Sequence, residues 1–254
     1  MIFAVDVGNT NIVIGCYENE NLKFVSRLAT NTSRMEDQYA IEFSNILGLY
    51  RCNPTCFEGA IISSVVPPLT PILREALKKL LNCKVFVVSP ELKTDLDIKI
   101  KQPSILGSDL ICASVAAAKQ FPSPCIIADL GTATKIMALD QNGAFLGCSI
   151  MPGVNISLEA LSARTAQLPQ INLESVTEVI GTTSIDSMKS GIVFGTASMI
   201  DGMIDRYAAI LGKNVSVVAT GGLSGVIIPY CNHKIAINPT LVLDGLYEIY
   251  QKNV

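Results

Sequence analysis

The sequence has no tryptophan and a single histidine, His233. With one histidine and no Gly-x-Ser-x-Gly, there is little room for a Ser-His-Asp hydrolase. Charged residues are scarce, at 16%, and the net charge is −3. A nucleic-acid partner needs a basic surface to neutralise phosphates, so none is expected. No apolar run approaches the roughly 18 residues of a membrane helix, so no membrane partner is expected either. The chain enters a strand pattern at once, without a basic leader or cleavage site, and a cytoplasmic location follows as an expectation. The eight cysteines include no C-x-x-C pair, and zinc would require clustered Cys and His. Buried, reduced thiols are expected instead. Neither G-x-x-x-x-G-K-[ST] nor a G-x-G-x-x-G after a strand occurs, which removes the P-loop and Rossmann readings.

What is present is apolar and repetitive. Hydrophobic residues make up 49% of 254, enough for one large domain or two of about 125 residues. The run Phe3-Ala4-Val5-Asp6-Val7-Gly8-Asn9-Thr10-Asn11-Ile12-Val13 predicts a strand, a tight turn and an antiparallel strand. Gly8 supplies backbone freedom and lack of bulk, so main-chain N–H groups can approach a ligand. Asp6 precedes the turn, where a carboxylate can reach a ligand or its metal ion. The pattern returns at Ile126-Ile127-Ala128-Asp129-Leu130-Gly131-Thr132-Ala133-Thr134-Lys135-Ile136, with Asp6 and Asp129 123 residues apart, as are Gly8 and Gly131. Each copy continues to a polar turn and a third strand. Two copies of strand–DxG–strand–turn–strand predict two domains of one design.

Between the copies, helical spacing spans 35–50 and 69–81, while 59–66 is a β-branched run expected as a buried parallel strand and 84–88 another strand. Strand–helix alternation after a meander predicts α/β with a mixed sheet. Residues 91–103 are polar, alternating and expected to be extended. Ser108 or Asp109 suits the N-cap of a helix ending at Gln120, so Asp109 is open to two readings, a cap or a functional carboxylate at a helix start. Phe121-Pro122-Ser123-Pro124 marks the expected boundary between residues 1–121 and 122–254. Further on, a helix is expected over 156–163, a loop-like segment over 168–181, and a long helix over 187–211 whose apolar stripe suits a core or an interface equally. A strand over 215–219 ends in Thr220-Gly221-Gly222-Leu223, which fits either a ligand-approaching turn or a plain tight one. A last helix covers 241–250.

The chemistry this inventory permits is phosphoryl transfer. Asn9, Thr10, Asn11, Thr132, Thr134 and backbone N–H groups can hold phosphate oxygens. The aspartates can hold Mg²⁺ or another cation. Positioning and charge neutralisation supply most of such catalysis, and a carboxylate at a helix start could serve as the base.

The motifs Asp6-Val7-Gly8-Asn9-Thr10-Asn11, Gly107-Ser108-Asp109, Asp129-Leu130-Gly131-Thr132-Ala133-Thr134, Leu146-Gly147 with Met151-Pro152-Gly153, Met188-Lys189-Ser190-Gly191 and Ala219-Thr220-Gly221-Gly222-Leu223 resemble, in order and spacing, those of type III pantothenate kinase. That family belongs to the actin/hexokinase/Hsp70-like superfamily, and the resemblance runs from Ile2 to about Tyr250. It implies two ribonuclease H-like domains with mixed five-stranded sheets and helices, ATP-dependent phosphorylation of pantothenate towards coenzyme A, a homodimer, Mg²⁺, and a monovalent cation such as K⁺ or NH₄⁺. It implies that Asp6, Val7, Gly8, Asn9, Thr10, Asn11, Ile12 and Val13 contact the nucleotide phosphates, with Asp6 near the metal. Asp109 becomes the base and Asp129 the ligand of the monovalent cation. Thr132, Gly221 and Gly222 border ATP. Ile100, Gly107, Ser108, Asp109, Leu110 and Ser184 fall at the pantothenate site.

Four positions depart from the family's pattern. Leu110 stands where arginine is usual and Ile100 where tyrosine is usual. Ser184 replaces threonine, and Lys135 stands where threonine is common. Losing an arginine that holds a small anion costs on the order of 1.5–3 kcal/mol. Lys99, Lys101 and Arg164 are candidates by type to replace it. Two alternatives follow from these departures: a kinase of the same fold with another small hydroxylated acceptor, or a non-catalytic nucleotide-binding regulator, since relatives described as regulators exist. Asp6, Asp109 and Asp129 count against the second, which has no need of a base.

Overall fold

The expected hairpin opens the chain. In the computed structural model, which describes residues 1–173 and 178–254, β1 (Ile2–Val7) turns at Gly8 into β2 (Asn11–Glu18), with Asp6 opposite Val13. Asn19 and Glu20, both at positive φ, make the tight turn into β3 (Asn21–Ala29). The chain then alternates through α1 (Glu36–Leu49), β4 (Gly59–Ser64), α2 (Leu69–Leu81) and β5 (Lys84–Val87). β4 lies parallel to β1 and β5 parallel to β4, so the sheet order is β3-β2-β1-β4-β5. β1 is thus flanked on both edges, which is why it is a nearly continuous apolar run.

After α3 (Ser108–Gln120), the second repeat rebuilds this sheet. β6 (Cys125–Leu130), β7 (Ala133–Leu139) and β8 (Phe145–Pro152) form the meander. α4 (Val154–Arg164) and α5 (Ser184–Leu211) precede β9 (Ser216–Thr220), which pairs parallel with β6. The short helix α6 (Ser224–Ile227) leads to β10 (Ala236–Ile237), parallel to β9, and α7 (Leu241–Gln251) ends the fold. The order β10-β9-β6-β7-β8 is the first sheet's order read from its β5 edge, with each strand replaced by its counterpart. The fold is therefore α/β with two similar mixed five-stranded sheets.

Each sheet has its own core. Phe3, Val5 and Val7 of β1 pack with Tyr39, Phe43 and Leu47 of α1 and with Leu69, Leu73 and Leu77 of α2. In the second repeat, Ile126, Ala128 and Leu130 pack with Ile192, Val193, Ala197, Ile200 and Ile204. The apolar stripe of the long helix α5 is thus core. Residues 97–101 carry no strand of their own, yet Lys99 N donates to the Phe145 carbonyl at 2.8 Å and Phe145 N to the Asp97 carbonyl at 2.8 Å. Of the loop expected over 168–181, residues 174–177 lie outside the described residues.

Two compact units emerge, and they differ from the contiguous segments 1–121 and 122–254. The first comprises Met1–Leu96, Gln102–Ala116 and Leu241–Val254; the second comprises Asp97–Lys101 and Ala117–Thr240. The last helix returns to the first unit because its partners are there. The Tyr17 hydroxyl donates to Asp244 Oδ1 at 2.6 Å, and Tyr17 stacks on Tyr247 with centroids 4.7 Å apart. Gly245 passes so close to the Cys112 carbonyl that any Cβ would collide with it. Gly245→Ala is expected to destabilise the protein by about 1–3 kcal/mol, lowering the melting temperature by roughly 2–4 °C per kcal/mol. Differential scanning calorimetry checks this, and an unchanged melting temperature would contradict the close packing of α7.

Candidate active site

The first hairpin turn is tied down by its own backbone and by Thr30. Gly8 N donates to the Asn11 carbonyl at 2.9 Å, and Thr30 Oγ1 donates to the Gly8 carbonyl at 2.6 Å. Asn9, Thr10 and Asn11 are exposed, while Val7 and Ile12 are wholly buried and can offer a ligand only their backbone. Asp6 closes β1. The parallel register places Ser63 of β4 opposite it, and Ser63 Oγ donates to Asp6 Oδ1 at 3.0 Å. Ser63 Oγ also lies 3.0 Å from Ser108 Oγ, which accepts from Ser64 N at 3.0 Å. A chain of hydroxyls thus joins the β1 carboxylate to the start of α3.

Asp109 follows directly. α3 begins at Ser108, so neither Ser108 nor Asp109 is the residue preceding the helix; both belong to its first turn. Asp109 Oδ1 accepts from Leu110 N at 2.9 Å. A Cβ on Gly107 would lie 2.6 Å from that same oxygen, so glycine makes room for the carboxylate. Asp6 and Asp109 converge electrostatically on Cys112. Burial pushes this thiol well above its usual range, and the two carboxylates add to the shift. Leu110 is buried, at 7% exposure, and brings no charge to the site.

The second unit carries the other candidates. Thr132 is exposed on the β6–β7 turn. Gly221, at φ +91°, lies against the end of β6, where a Cβ would fall 2.5 Å from the Leu130 carbonyl carbon. Backbone conformation and close approach both demand glycine there. Gly222 has open space and no packing reason of its own. Ser184 is the first residue of α5, whose cap is Thr183, accepting from Asp186 N at 3.2 Å. Ile100 is half-buried in the segment beside Phe145. Of the candidate replacement cations, Lys99 is held by Asp140 at 2.7 Å, while Lys101 and Arg164 are exposed.

Asp129 closes β6 as Asp6 closes β1. Its Oδ2 accepts from Lys135 Nζ at 2.8 Å, with the two side chains 13% and 17% exposed. No group of three or more His, Cys, Asp or Glu side chains able to hold a metal occurs among the described residues. Asp6 nevertheless fits Mg²⁺, which keeps several waters and takes one or two carboxylates together with substrate phosphates. At Asp129, by contrast, a lysine ammonium already lies at contact distance.

The sequence profile of the family described as type III pantothenate kinase matches residues 2–206. The chain belongs to that family. A type III pantothenate kinase from Moorella thermoacetica is 36% identical over 253 residues, with all of both chains covered. One from Halalkalibacterium halodurans is 39% identical over 254 residues, again with full coverage of both. The fold also matches the activator of the 2-hydroxyisocaproyl-CoA dehydratase from Clostridium difficile, solved with ADPNP, at a TM-score of 0.58 and 13% identity, covering 99% of this chain and 95% of that one. At that identity the likeness concerns the fold alone.

Sequence reasoning missed Ser63, Thr30 and Cys112. The pair Ser63-Ser64 does interrupt an apolar run, but its partner is visible only once β4 is known to lie parallel to β1 in this register. All eight cysteines are free thiols. Because a raised pKa leaves less thiolate at a given pH, Cys112 and Cys125, the latter pushed up to about 11 by burial, should resist iodoacetamide at pH 8. Exposed Cys56 and Cys148 should react first. Mass spectrometry of the native protein checks the order, and Cys112 labelled as fast as Cys56 would contradict the enclosure of this site.

Proposed function

We infer that the protein transfers the γ-phosphoryl group of ATP to the hydroxyl of pantothenate, the first step towards coenzyme A. The observation that carries the reading is the hydroxyl chain Asp6–Ser63–Ser108 leading to Asp109, in a chain of this family. Asp109 takes the proton of the acceptor hydroxyl as its oxygen attacks the γ-phosphorus. The bond from that phosphorus to the bridging oxygen breaks, and ADP leaves. Asn9, Thr10 and Asn11 hold phosphate oxygens through backbone N–H and short polar side chains, on the turn that Gly8 closes. Asp6 holds Mg²⁺, which when bound neutralises charge on the phosphates. Ser63, hydrogen-bonded to Asp6, keeps that carboxylate oriented. Thr132, Gly221 and Gly222 border the nucleotide.

Gly107, Ser108, Leu110, Ile100 and Ser184 attend the acceptor. With Leu110 buried and Ile100 unable to donate a hydrogen bond, the acceptor is held with less charge than the family pattern provides. Homodimerisation draws support from the exposed apolar side chains Leu146 and Ile150 on β8, an edge strand. Eight free thiols agree with a reducing, cytoplasmic location.

Purified protein with ATP, Mg²⁺ and pantothenate is expected to release ADP, quantified by chromatography, only when pantothenate is present. Asp109→Asn is expected to lower turnover by at least about 100-fold, the span of a general base, while the circular dichroism spectrum stays native. Near-wild-type turnover in that variant would remove Asp109 as the base. ADP release with another small hydroxylated acceptor but not pantothenate would reassign the substrate.

A further inference from the structure

The two hairpins are equivalent in topology but not in charge. Across the β1–β2 pairing the residue opposite Asp6 is Val13, whereas across the β6–β7 pairing the residue opposite Asp129 is Lys135. Directly opposed residues of an antiparallel pair project from the same face, within reach of one another. Lys135 uses that placement, with Nζ 2.8 Å from Asp129 Oδ2 and both side chains mostly enclosed.

A carboxylate withdrawn from water needs a compensating positive charge. A lysine ammonium is a compact point charge with three donors, and it resembles NH₄⁺ and K⁺ in charge and compactness. Being covalently tethered, it is presented at an effective concentration that does not depend on the surrounding salt. A dissolved cation on the same carboxylate would meet like charge at contact distance in a partly desolvated setting.

We propose that Lys135 permanently occupies the cation position at Asp129, so that this protein works without K⁺ or NH₄⁺. As a statement about turnover the proposal rests on the kinase reading above; as a statement about Asp129 it does not. The test compares melting temperature and pantothenate-dependent ADP release in KCl, NH₄Cl and choline chloride at equal ionic strength, with Mg²⁺ and ATP. Chromatographic detection of ADP avoids a coupling enzyme that itself needs K⁺.

The wild-type protein is expected to vary by less than about twofold in turnover and about 1 °C in melting temperature across the three salts. Lys135→Thr is expected to acquire the dependence that the wild type lacks. K⁺ should raise its melting temperature by about 3 °C or more, as a ligand bound only by the folded state does, and its turnover about tenfold or more. A wild-type protein whose melting temperature or turnover falls in choline by those margins overturns the proposal. A folded Lys135→Thr indifferent to K⁺ overturns it too, because Asp129 would then not be a cation position. Absence of ADP release in every salt would count against the kinase reading alone, and the melting series would still decide the cation question.

Discussion

A strand paired on both edges and covered by helices has no place for a polar side chain except at its ends. This constraint governs the molecule. β1 and β6 are each flanked by an antiparallel and a parallel neighbour, and Phe3, Ala4, Val5 and Val7 are wholly buried. The carboxylates Asp6 and Asp129 therefore sit near the carboxyl ends of their strands, beside the two hairpin turns. Crevices outside the carboxyl ends of strands are where α/β sheets commonly bind.

Near the end of β1, the parallel neighbour matters as much as the hairpin. β4 brings Ser63 level with Asp6, and the serine hydroxyl links that carboxylate to the first turn of α3. A half-enclosed carboxylate satisfied by a hydroxyl keeps one orientation, whereas an unsatisfied one would be costly. Asp109 follows Ser108 in that turn, its Oδ1 accepting from Leu110 N. Positioning of this kind is what phosphoryl transfer asks of a protein.

Near the end of β6 the same architecture is used differently. Lys135 satisfies Asp129, and Gly221 closes against Leu130 in a way that no side chain could tolerate. One copy of the repeat thus presents a carboxylate backed by a neutral hydroxyl, and the other a carboxylate backed by a cation. The frame is repeated, and the residues opposite the two aspartates differ, Val13 in one copy and Lys135 in the other.

Much of this was legible in the linear order of residues. The doubled DxG hairpin, the parallel strand at 59–66, the helix ending at Gln120 and the long helix before the Gly-Gly turn follow from apolar periodicity and turn chemistry, which are local properties of the chain. Glycines and aspartates at those turns marked the candidate site for the same reason. Partners distant in sequence were not legible. The Asp6–Ser63 contact depends on strand register, the return of α7 to the first unit on a close approach at Gly245, and the placement of the α5 stripe in the core on which sheet lies beneath it. The identity of Lys135 was plain in the sequence, but its pairing with Asp129 depended on how many residues the β6–β7 turn takes up. Local preference is written residue by residue along the chain, whereas distance between residues far apart exists only once the sheets have formed.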